Sequence, residues 1–349
     1  MKGASLFSSA GIGENFLSSI GIDIIVSNEI IEKRAGLYRS IYPETNVVSG
    51  DFTDKTIFSK VIELAAGKID FLIASPPCQG MSVAGKNRCE NTMLMDERNY
   101  LIMHTIKAIN HLKPTFILIE NVPALLKLKL IYKGELKSIQ DILFLELGDK
   151  YNIESEIVDA ADYGVPQTRN RAIIKIYEKG KVWLWPTKTN KVTVREAIGF
   201  LPSIEAGEES DIKWHFARKH DPRHILWMKH TATGQSAFSN EVYFPQKLDG
   251  TRIKGYESSY RRIKWDEPAP TITIRNDAIS SQRNVHPGRR LNDGTYSDAR
   301  VLTPLELMIL NSLPSNWNIP ENTPEILIRQ CIGESIPPLM IKKIVGELL

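Results

Sequence analysis

The chain has 349 residues, of which 42% are apolar and 24% are charged, and its net charge is only +3; this is enough chain for two domains with ordinary cores. Three cysteines (Cys78, Cys89 and Cys331) are too few and too odd in number for a disulfide framework. One of them could instead be a catalytic nucleophile. Without a run of ~18 apolar residues or a signal-peptide pattern, we expect a cytoplasmic protein with no membrane partner.

In the first half of the chain, short apolar runs alternate with longer amphipathic segments. The apolar runs predict buried strands at Ala4–Phe7, Ile22–Ser27, Asn46–Val48, Ile69–Ala74 and Thr115–Ile119. The amphipathic segments predict helices at Glu14–Ser19, Ile31–Tyr42, Lys55–Ala66 and Asn99–Leu112. Such alternation is typical of a mostly parallel α/β sheet, which binds ligands at the carboxyl ends of its strands.

The second half changes character near Pro186. Two more strands are predicted before it, at Ile153–Asp159 and Arg171–Ile176. Beyond it, Gly, Pro, Asn and Asp are frequent and helical periodicity is weak, which predicts a smaller, loop-rich second domain. Helical patterns return at Thr193–Phe200, Pro304–Leu313 and Glu325–Leu349.

The loop-rich part is also the basic part. Thr187–Arg300 has 19 Lys and Arg against 14 Asp and Glu, a local balance of +5, which leaves −2 for the remainder. A basic part beside a slightly acidic one suits an enzyme that holds a polyanion on one domain. Chance clustering on a solvated surface is the alternative.

The first candidate site follows the first predicted strand. Small residues in Leu6–Gly13 allow a backbone turn to approach a ligand closely, although taken alone they can also form an ordinary tight turn. Glu29, after the second strand, could accept hydrogen bonds from ribose hydroxyls, or be a surface glutamate. Asp51, after the third, could accept from an adenine amino group, or cap a turn.

The second candidate site is Ser75–Gly80, after the fourth strand. Two prolines stiffen the backbone before Cys78 and fix where its side chain points. A cysteine in this position can have a lowered pKa and act as a nucleophile. A buried, inert cysteine is the alternative.

Two further sites hold a carboxylate and a basic cluster. Glu120, emerging from an apolar strand, would be partly desolvated and could protonate a ring nitrogen, or simply pair with a nearby cation. In an extended chain, Gln167, Arg169 and Arg171 would point to one side and offer donors to carbonyl oxygens or phosphates. A solvated basic strand is the alternative for these three.

Taken in order, these segments resemble the motif series of the DNA (cytosine-5) methyltransferase family, of the bacterial restriction-modification type. The match extends from Leu6 to Pro338, nearly the whole chain. The similar segments are Leu6–Gly13, Ser75–Gly80, Asp96–Leu101, Glu120–Val122, Gln167–Arg171, Trp265–Thr273, Arg300–Glu306 and Gly333–Pro338. Two positions depart from the family pattern: Ser9 stands where glycine is usual, and Glu334 where asparagine is usual.

The resemblance implies a Rossmann-like sheet dependent on S-adenosylmethionine, with a smaller target-recognition domain. It implies a catalytic domain at 1–186 plus 325–349 and target recognition at 187–324. The implied catalytic residues are Cys78, Glu120, Arg169 and Arg171. The implied cofactor residues are Phe7, Ser8, Ala10, Gly11, Ile12, Gly13, Glu29, Ile30, Asp51, Phe52, Pro77, Leu101, Glu334, Ser335 and Ile336.

By the same resemblance, Cys78 would attack carbon 6 of a cytosine flipped out of duplex DNA. Double-stranded DNA is the expected partner, bound by a monomer that is functionally coupled to a cognate restriction endonuclease. Candidate DNA contacts are Arg252, Lys254, Arg261, Arg262, Arg275, Arg283, Arg289 and Arg290. No metal site is expected, because His215, His220, His224 and His230 have no cysteine close in sequence.

Two alternatives remain open at this point. One is an RNA cytosine-5 methyltransferase of the same fold, against which the long basic segment argues. The other is a catalytically dead DNA-binding regulator. Only Ser9 and Glu334 support that second alternative, whereas the matching Cys78, Glu120 and arginines oppose it.

Overall fold

The computed structural model describes residues 1–77, 96–314 and 317–348. The chain divides into two compact units. The first comprises Met1–Asp159, Asn170–Thr187 and Ile341–Leu349, and the second comprises Ala160–Arg169 and Lys188–Met340. These bounds place the segment 325–340 in the second unit, whereas the sequence suggested the catalytic domain. Where catalysis and target recognition reside remains a prediction.

Within the described residues, the strands of the first unit form one large sheet and a small hairpin. The strands are β1 (Lys2–Leu6), β2 (Asp23–Glu29), β3 (Asn46–Ser49), β4 (Phe71–Ala74), β5 (Phe116–Asn121), β6 (Lys129–Tyr132), β7 (Glu135–Ser138), β8 (Tyr151–Asp159) and β9 (Asn170–Glu178). The seven-stranded sheet has the order β3-β2-β1-β4-β5-β9-β8. Its first five strands are parallel, while β9 runs antiparallel to both β5 and β8. This is the predicted mixed α/β fold with a mostly parallel sheet.

Helices lie in both units, and those of the first unit connect and cover these strands. They are α1 (Glu32–Ile41), α2 (Lys55–Ala65), α3 (Leu101–Leu112), α4 (Ile139–Leu147), α5 (Val194–Ile198), α6 (Pro222–Lys229), α7 (Pro304–Leu310), α8 (Glu325–Glu334) and α9 (Pro338–Val345). Apolar residues of α2, α3 and α4 pack with strand residues into one buried core. No described helix is both long and apolar enough to cross a membrane.

One predicted helix of the first unit is wrong. Glu14–Ser19 forms successive turns that lead into a 3-10 helix at Ser18–Ile20. Its amides bond carbonyls three residues back, as Leu17 N does with Glu14 O at 2.9 Å. The apolar spacing suggested an α-helix, but Glu14 is buried against β1 and α1, and this holds the segment in turns.

The segment before β8 contains structure that the sequence analysis did not anticipate. β6 and β7 form an antiparallel hairpin, and α4 follows directly. Ser138 begins that helix with a capping box, because its hydroxyl accepts from Asp141 N while Asp141 reaches back to Ser138 N. The Ser-x-x-Asp pattern was the available signal.

The second unit is mostly irregular, as predicted. Outside its short helices, the described backbone pairs through isolated bridges, such as Ser236 with Arg261 and Val285 with Val301. An apolar cluster around Trp227, Met228 and Val285 forms a core. Helix α6 was not predicted, although Asp221 caps it and Pro222 occupies its first turn.

Candidate active site

The candidate site residues of the first unit follow the carboxyl ends of its parallel strands. Phe7 follows β1, Glu29 ends β2, Asp51 follows β3, Pro77 follows β4 and Glu120 lies at the end of β5. Neighbouring parallel strands end at the same edge of a sheet, so the fold brings these positions to one edge. This is the edge at which such sheets bind ligands.

The loop after β1 is a tight turn with an unusual backbone. Phe7 and Ser9 have positive φ angles of 58° and 49°, and Gly11 has 70°. Ser9 therefore occupies a left-handed conformation that glycine adopts without strain. A Cβ on Gly11 would lie 2.7 Å from the Tyr38 ring, so no side chain fits there. Ala10 and Ile12 are buried, whereas Ser8 and Gly13 are half-buried.

Glu29 fixes this loop to the end of β2. Its two carboxylate oxygens accept from the backbone N–H groups of Ser9 and Ile31, each at 2.8 Å. Glu29 is buried, so the surface-glutamate reading of this position is wrong. Ile30 beside it is exposed.

Aromatic rings pack together at the turn after β3. Phe52 is buried, and its ring centroid lies 5.6 Å from that of Phe7 and 5.2 Å from that of Phe58. Asp51 is exposed, and its Oδ1 accepts from Thr53 N at 2.8 Å. Asp51 is thus a turn residue, which was the alternative interpretation of this position. Its Oδ2 takes no part in that turn.

Behind the loop lies a buried carboxyl group that the sequence analysis did not single out. Ser5 and Tyr38 hydrogen-bond the two oxygens of Glu14. Burial raises the pKa of Glu14 to about 7. The hydroxyl of Tyr42, from the same region as Tyr38, donates to Gly11 O at 2.9 Å. Polar groups under the loop therefore connect it to β1 and α1.

Asn121 joins the ends of β4 and β5. Its Nδ2 donates to Pro76 O at 2.7 Å, and its Oδ1 accepts from Val122 N at 2.8 Å. The chain entering the Pro-Pro-Cys segment is thereby fixed beside Glu120. Cys78, Gln79 and Gly80 lie outside the described residues, as does Cys89. Pro77 is half-buried at the last described position, and Leu101 is half-buried at the start of α3.

Glu120 and Arg171 form an ion pair across β5 and β9. Arg171 Nε lies 2.7 Å from Glu120 Oε1, and the side chains are 14% and 8% exposed. Glu120 pairs with Ile173 in the antiparallel register, so Arg171, two residues earlier on β9, is its diagonal neighbour. The cation-paired reading of Glu120 is therefore correct, and its catalytic role stays a prediction.

Arg169 and Gln167 lie in the second unit and contact other partners. The guanidinium of Arg169 donates to the carbonyls of Ile272, Gly333 and Glu334, at 2.8, 3.1 and 3.1 Å. Gln167 Oε1 accepts from Ile272 N at 3.0 Å. Both side chains are buried, so the solvated-strand reading is wrong for them. The expectation that both share one target with Arg171 finds no support in their described contacts.

The motif Gly333–Pro338 supplies two of the carbonyls that Arg169 contacts. Ser335 is buried and accepts from Asn311 Nδ2 at 2.9 Å, and Ile336 is buried beside it. Glu334 is exposed, although its carbonyl bonds Arg169. A Cβ on Gly333 would lie 2.3 Å from Thr273 O, so the motif backbone and the Trp265–Thr273 segment touch.

Two of the arginines that were candidates for DNA contact make contacts within the second unit. Arg262 is buried and donates to the carbonyls of Met228, His286 and Asp298. Arg289 donates to Gly199 O at 3.1 Å. The exposed candidates are Arg252, Lys254, Arg275, Arg283 and Arg290. In the part of the chain that the structure describes, no cluster of three or more His, Cys, Asp or Glu could hold a metal.

The first unit combines a Rossmann-like sheet with a left-handed turn after β1 and a largely buried Glu–Arg pair on β5 and β9, and these features fit a methyltransferase. The model of the C-5 cytosine-specific DNA methylase family matches residues 1–349, and the chain belongs to that family. It is therefore an enzyme that methylates carbon 5 of cytosine in DNA, as the motif resemblance implied.

Relatives extend this assignment. The chain is 63% identical over 349 residues to the type II methyltransferase M1.HgaI of Avibacterium volantium, covering all of this chain and 98% of that protein. It is 29% identical to the type II methyltransferase M1.HphI of Haemophilus parahaemolyticus, covering 99% and 85%. The Entamoeba histolytica methyltransferase EhMeth shares the fold, with a TM-score of 0.63, 16% identity and 99% and 96% coverage.

Proposed function

We propose that the chain is the modification methyltransferase of a type II restriction-modification system, that it uses S-adenosylmethionine, and that it works through a covalent Cys78 adduct. The relatives named type II methyltransferases support the first part. The observation that carries the chemistry is the buried pair of Glu120 and Arg171 at the carboxyl edge of the sheet. Asn121 holds the entry to the Cys78 segment beside that pair.

The first unit has features that fit the cofactor. The turn after β1 holds Ser9 and Gly11 in left-handed conformations, and Phe7 offers a half-buried ring that contacts Phe52 edge-on. Glu29 has lone pairs beyond its two backbone bonds for ribose hydroxyls. Further contacts would come from Ile30, Asp51, Pro77 and Leu101. The resemblance to the family, and no placement in the structure, adds Glu334–Ile336. S-adenosylmethionine supplies an electrophilic methyl group on sulfur.

Carbon 5 of cytosine is a weak nucleophile, and Cys78 and Glu120 would make it more reactive. The thiolate of Cys78 adds to carbon 6, which makes carbon 5 an enamine carbon that can accept the methyl group. Glu120 donates a hydrogen bond or a proton to ring nitrogen 3 and withdraws electrons as the thiolate adds. Loss of the carbon 5 proton then expels Cys78.

The two arginines have different roles in this proposal. Arg171 pairs with Glu120 and would hold the base through its oxygen. Arg169 is a positioning residue, because its guanidinium is occupied by the backbone of Ile272, Gly333 and Glu334. The cytosine must leave the duplex to be reached, at a cost of roughly a few kcal/mol.

A trapping experiment tests the covalent step. Duplex DNA carrying 5-fluorocytosine should form a stable complex with the parent enzyme and S-adenosylmethionine, since fluorine cannot leave carbon 5 as a proton does. Cys78→Ser should form none, whereas Cys331→Ser, which removes a buried cysteine of α8, should trap normally. An adduct with Cys78→Ser would exclude Cys78 as the nucleophile. Parallel assays on transfer RNA test the RNA alternative.

A further inference from the structure

Glu14 comes directly after the loop that follows β1, residues 7–13, which we call the cofactor loop. Its side chain is buried, and its two oxygens are hydrogen-bonded to the hydroxyls of Ser5 on β1 and Tyr38 on α1. Among the described residues, no cation pairs with this carboxyl and no backbone N–H donates to it. Glu14 is therefore a buried acid whose described partners are hydroxyls.

Tyr38 connects Glu14 to the backbone of the cofactor loop. A Cβ on Gly11 would lie 2.7 Å from the Tyr38 ring and 2.6 Å from the Tyr42 ring, so both rings pack directly against the loop. The two ring centroids are 4.9 Å apart, and the Tyr42 hydroxyl donates to Gly11 O at 2.9 Å. Gly11 has a φ of 70°, so the loop turns at this residue. Glu14 thus holds the ring that supports the turn.

The hydrogen-bond partners of Glu14 favour its neutral form. An ionised carboxylate only accepts hydrogen bonds, and Glu29 is satisfied in this way by the N–H groups of Ser9 and Ile31. A hydroxyl can accept as well as donate, so a protonated Glu14 can donate to one of its hydroxyls and accept from the other. Burial acts in the same direction, since it raises the pKa of Glu14 to about 7.

The groups around Glu14 and Tyr38 bring no positive charge. They are the hydroxyls of Ser5 on β1, Ser27 on β2 and Tyr42 after α1. When Tyr38 accepts from Glu14, it can turn its own proton towards Ser27, whose buried hydroxyl no other described residue bonds. An ionised Glu14 would instead be a buried charge with no cation to offset it, which is costly.

We propose that Glu14 is a positioning residue for the cofactor loop, and that its neutral form holds the loop in the conformation that binds S-adenosylmethionine. This inference rests on the proposed function, which supplies the cofactor. Ionisation draws the carboxylate towards water and loosens the packing of Tyr38 on Gly11. Because the cofactor binds the loop in its held conformation, cofactor binding and protonation of Glu14 favour each other. Cofactor affinity should therefore fall as pH rises through the pKa of Glu14.

Titration calorimetry with S-adenosylmethionine at pH 6 and pH 8 tests the proposal on the parent and on Glu14→Gln, whose amide is neutral at both. The dissociation constant of the parent should rise about ten-fold relative to that of the variant, since at pH 8 only about a tenth of Glu14 keeps its proton. The ratio of the two proteins cancels the titration of the cofactor's own amino group. At pH 8 the difference should lie in the KM for the cofactor, with kcat and the KM for DNA unchanged.

Tyr38→Phe and Tyr151→Phe are a matched pair of hydroxyl deletions. Both tyrosines are buried in the first unit, but Tyr151 donates to Pro114 O at 3.0 Å and lies on β8, four strands from β1. At pH 6, Tyr38→Phe should weaken cofactor binding several-fold, because Glu14 loses the contact that fixes the ring. Tyr151→Phe should bind the cofactor as the parent does.

Proton uptake by the parent decides the question if Glu14→Gln does not fold. Calorimetry at pH 7 in two buffers of different ionisation enthalpy should show uptake of about half a proton on cofactor binding, because Glu14 is half ionised there. Uptake near zero, or a parent-to-variant ratio that stays constant with pH, overturns the inference and leaves the proposed function intact. Equal affinities of the two Tyr→Phe variants have the same consequence. A parent that binds no S-adenosylmethionine overturns both.

Discussion

Arg171 Nε lies 2.7 Å from Glu120 Oε1 on neighbouring antiparallel strands, with both side chains largely buried. Removing one partner leaves the other charge without compensation in a poorly solvated site. Arg171→Gln should therefore cost about 3–5 kcal/mol of unfolding free energy. The double variant with Glu120→Gln should recover part of that loss, because neither charge remains.

Urea denaturation of the parent, both single variants and the double variant measures this coupling. Arg39→Gln is the control, since its ion pair with Glu32 is exposed to solvent and should contribute little to stability. Additive effects of the Glu120 and Arg171 substitutions would show that the pair does not stabilise the fold. The Glu120→Gln variant and the double variant should both lack methylation activity, whatever their stability.

A second prediction concerns pH and the buried Glu14. Because burial raises the pKa of Glu14 to about 7, the folded state keeps a proton that the unfolded chain loses above the ordinary glutamate pKa of 4.5. The stabilising contribution is thus complete below pH 4.5, falls as pH rises, and is gone near pH 7. The difference is about 3 kcal/mol across that window.

Glu14→Gln should remove this pH dependence, since its amide does not titrate. Unfolding free energies of the parent and the variant at pH 5, 6 and 7 check it. The parent's stability relative to the variant should decline over that range, with Ser5 and Tyr38 as the groups that face the carboxyl. A difference that stays constant would mean that Glu14 ionises normally.

Some parts of the fold could be predicted from the sequence, and others could not. The parallel strands were found because a buried strand is a short apolar run, and the site at their carboxyl ends followed from the topology. Glu14 was placed on a helix because apolar spacing does not reveal a carboxyl that two hydroxyls hold inside. Arg169 was expected to act in catalysis and Arg262 to contact DNA, since an arginine that donates to buried backbone carbonyls has no signature in its residue type.

Ser9 offers a third prediction. Its φ of 49° favours glycine, and its buried hydroxyl has no hydrogen-bond partner among the described residues. Ser9→Gly should remove both the backbone strain and the unpaired hydroxyl. The free energy of unfolding should rise by about 1 kcal/mol, once the conformational entropy that glycine adds to the unfolded chain is subtracted. Ser9→Ala removes only the hydroxyl and should gain less. Thermal unfolding orders the three proteins, and a less stable glycine variant would show that Ser9 makes a favourable contact.

A fourth prediction tests Glu334 at the proposed cofactor motif. Its carbonyl is bonded by Arg169, but its side chain is exposed and would bring a negative charge towards the cofactor's carboxylate. Glu334→Asn should bind S-adenosylmethionine at least as tightly as the parent in titration calorimetry. Glu321→Gln, at an exposed ion pair with Lys213, is the control and should change nothing. Clearly weaker binding by Glu334→Asn alone would contradict the expectation.

The last prediction separates arginines that support the fold from those that contact DNA. Arg262 is buried, and burial lowers its pKa to about 10 while three carbonyls hold it. Arg262→Gln should leave these carbonyls without partners, cost about 3 kcal/mol of stability, and leave the salt slope of DNA binding unchanged where the protein is folded.

Arg290 is exposed and belongs to the same basic region. Arg290→Gln should keep the stability of the parent, because it removes no buried contact. If Arg290 touches phosphate, it should reduce the salt slope by about 0.9 and weaken all sequences alike. Urea midpoints and binding isotherms over a range of salt concentrations distinguish the two arginines. A lower salt slope for Arg262→Gln with full stability would place that arginine at the DNA after all, against its burial.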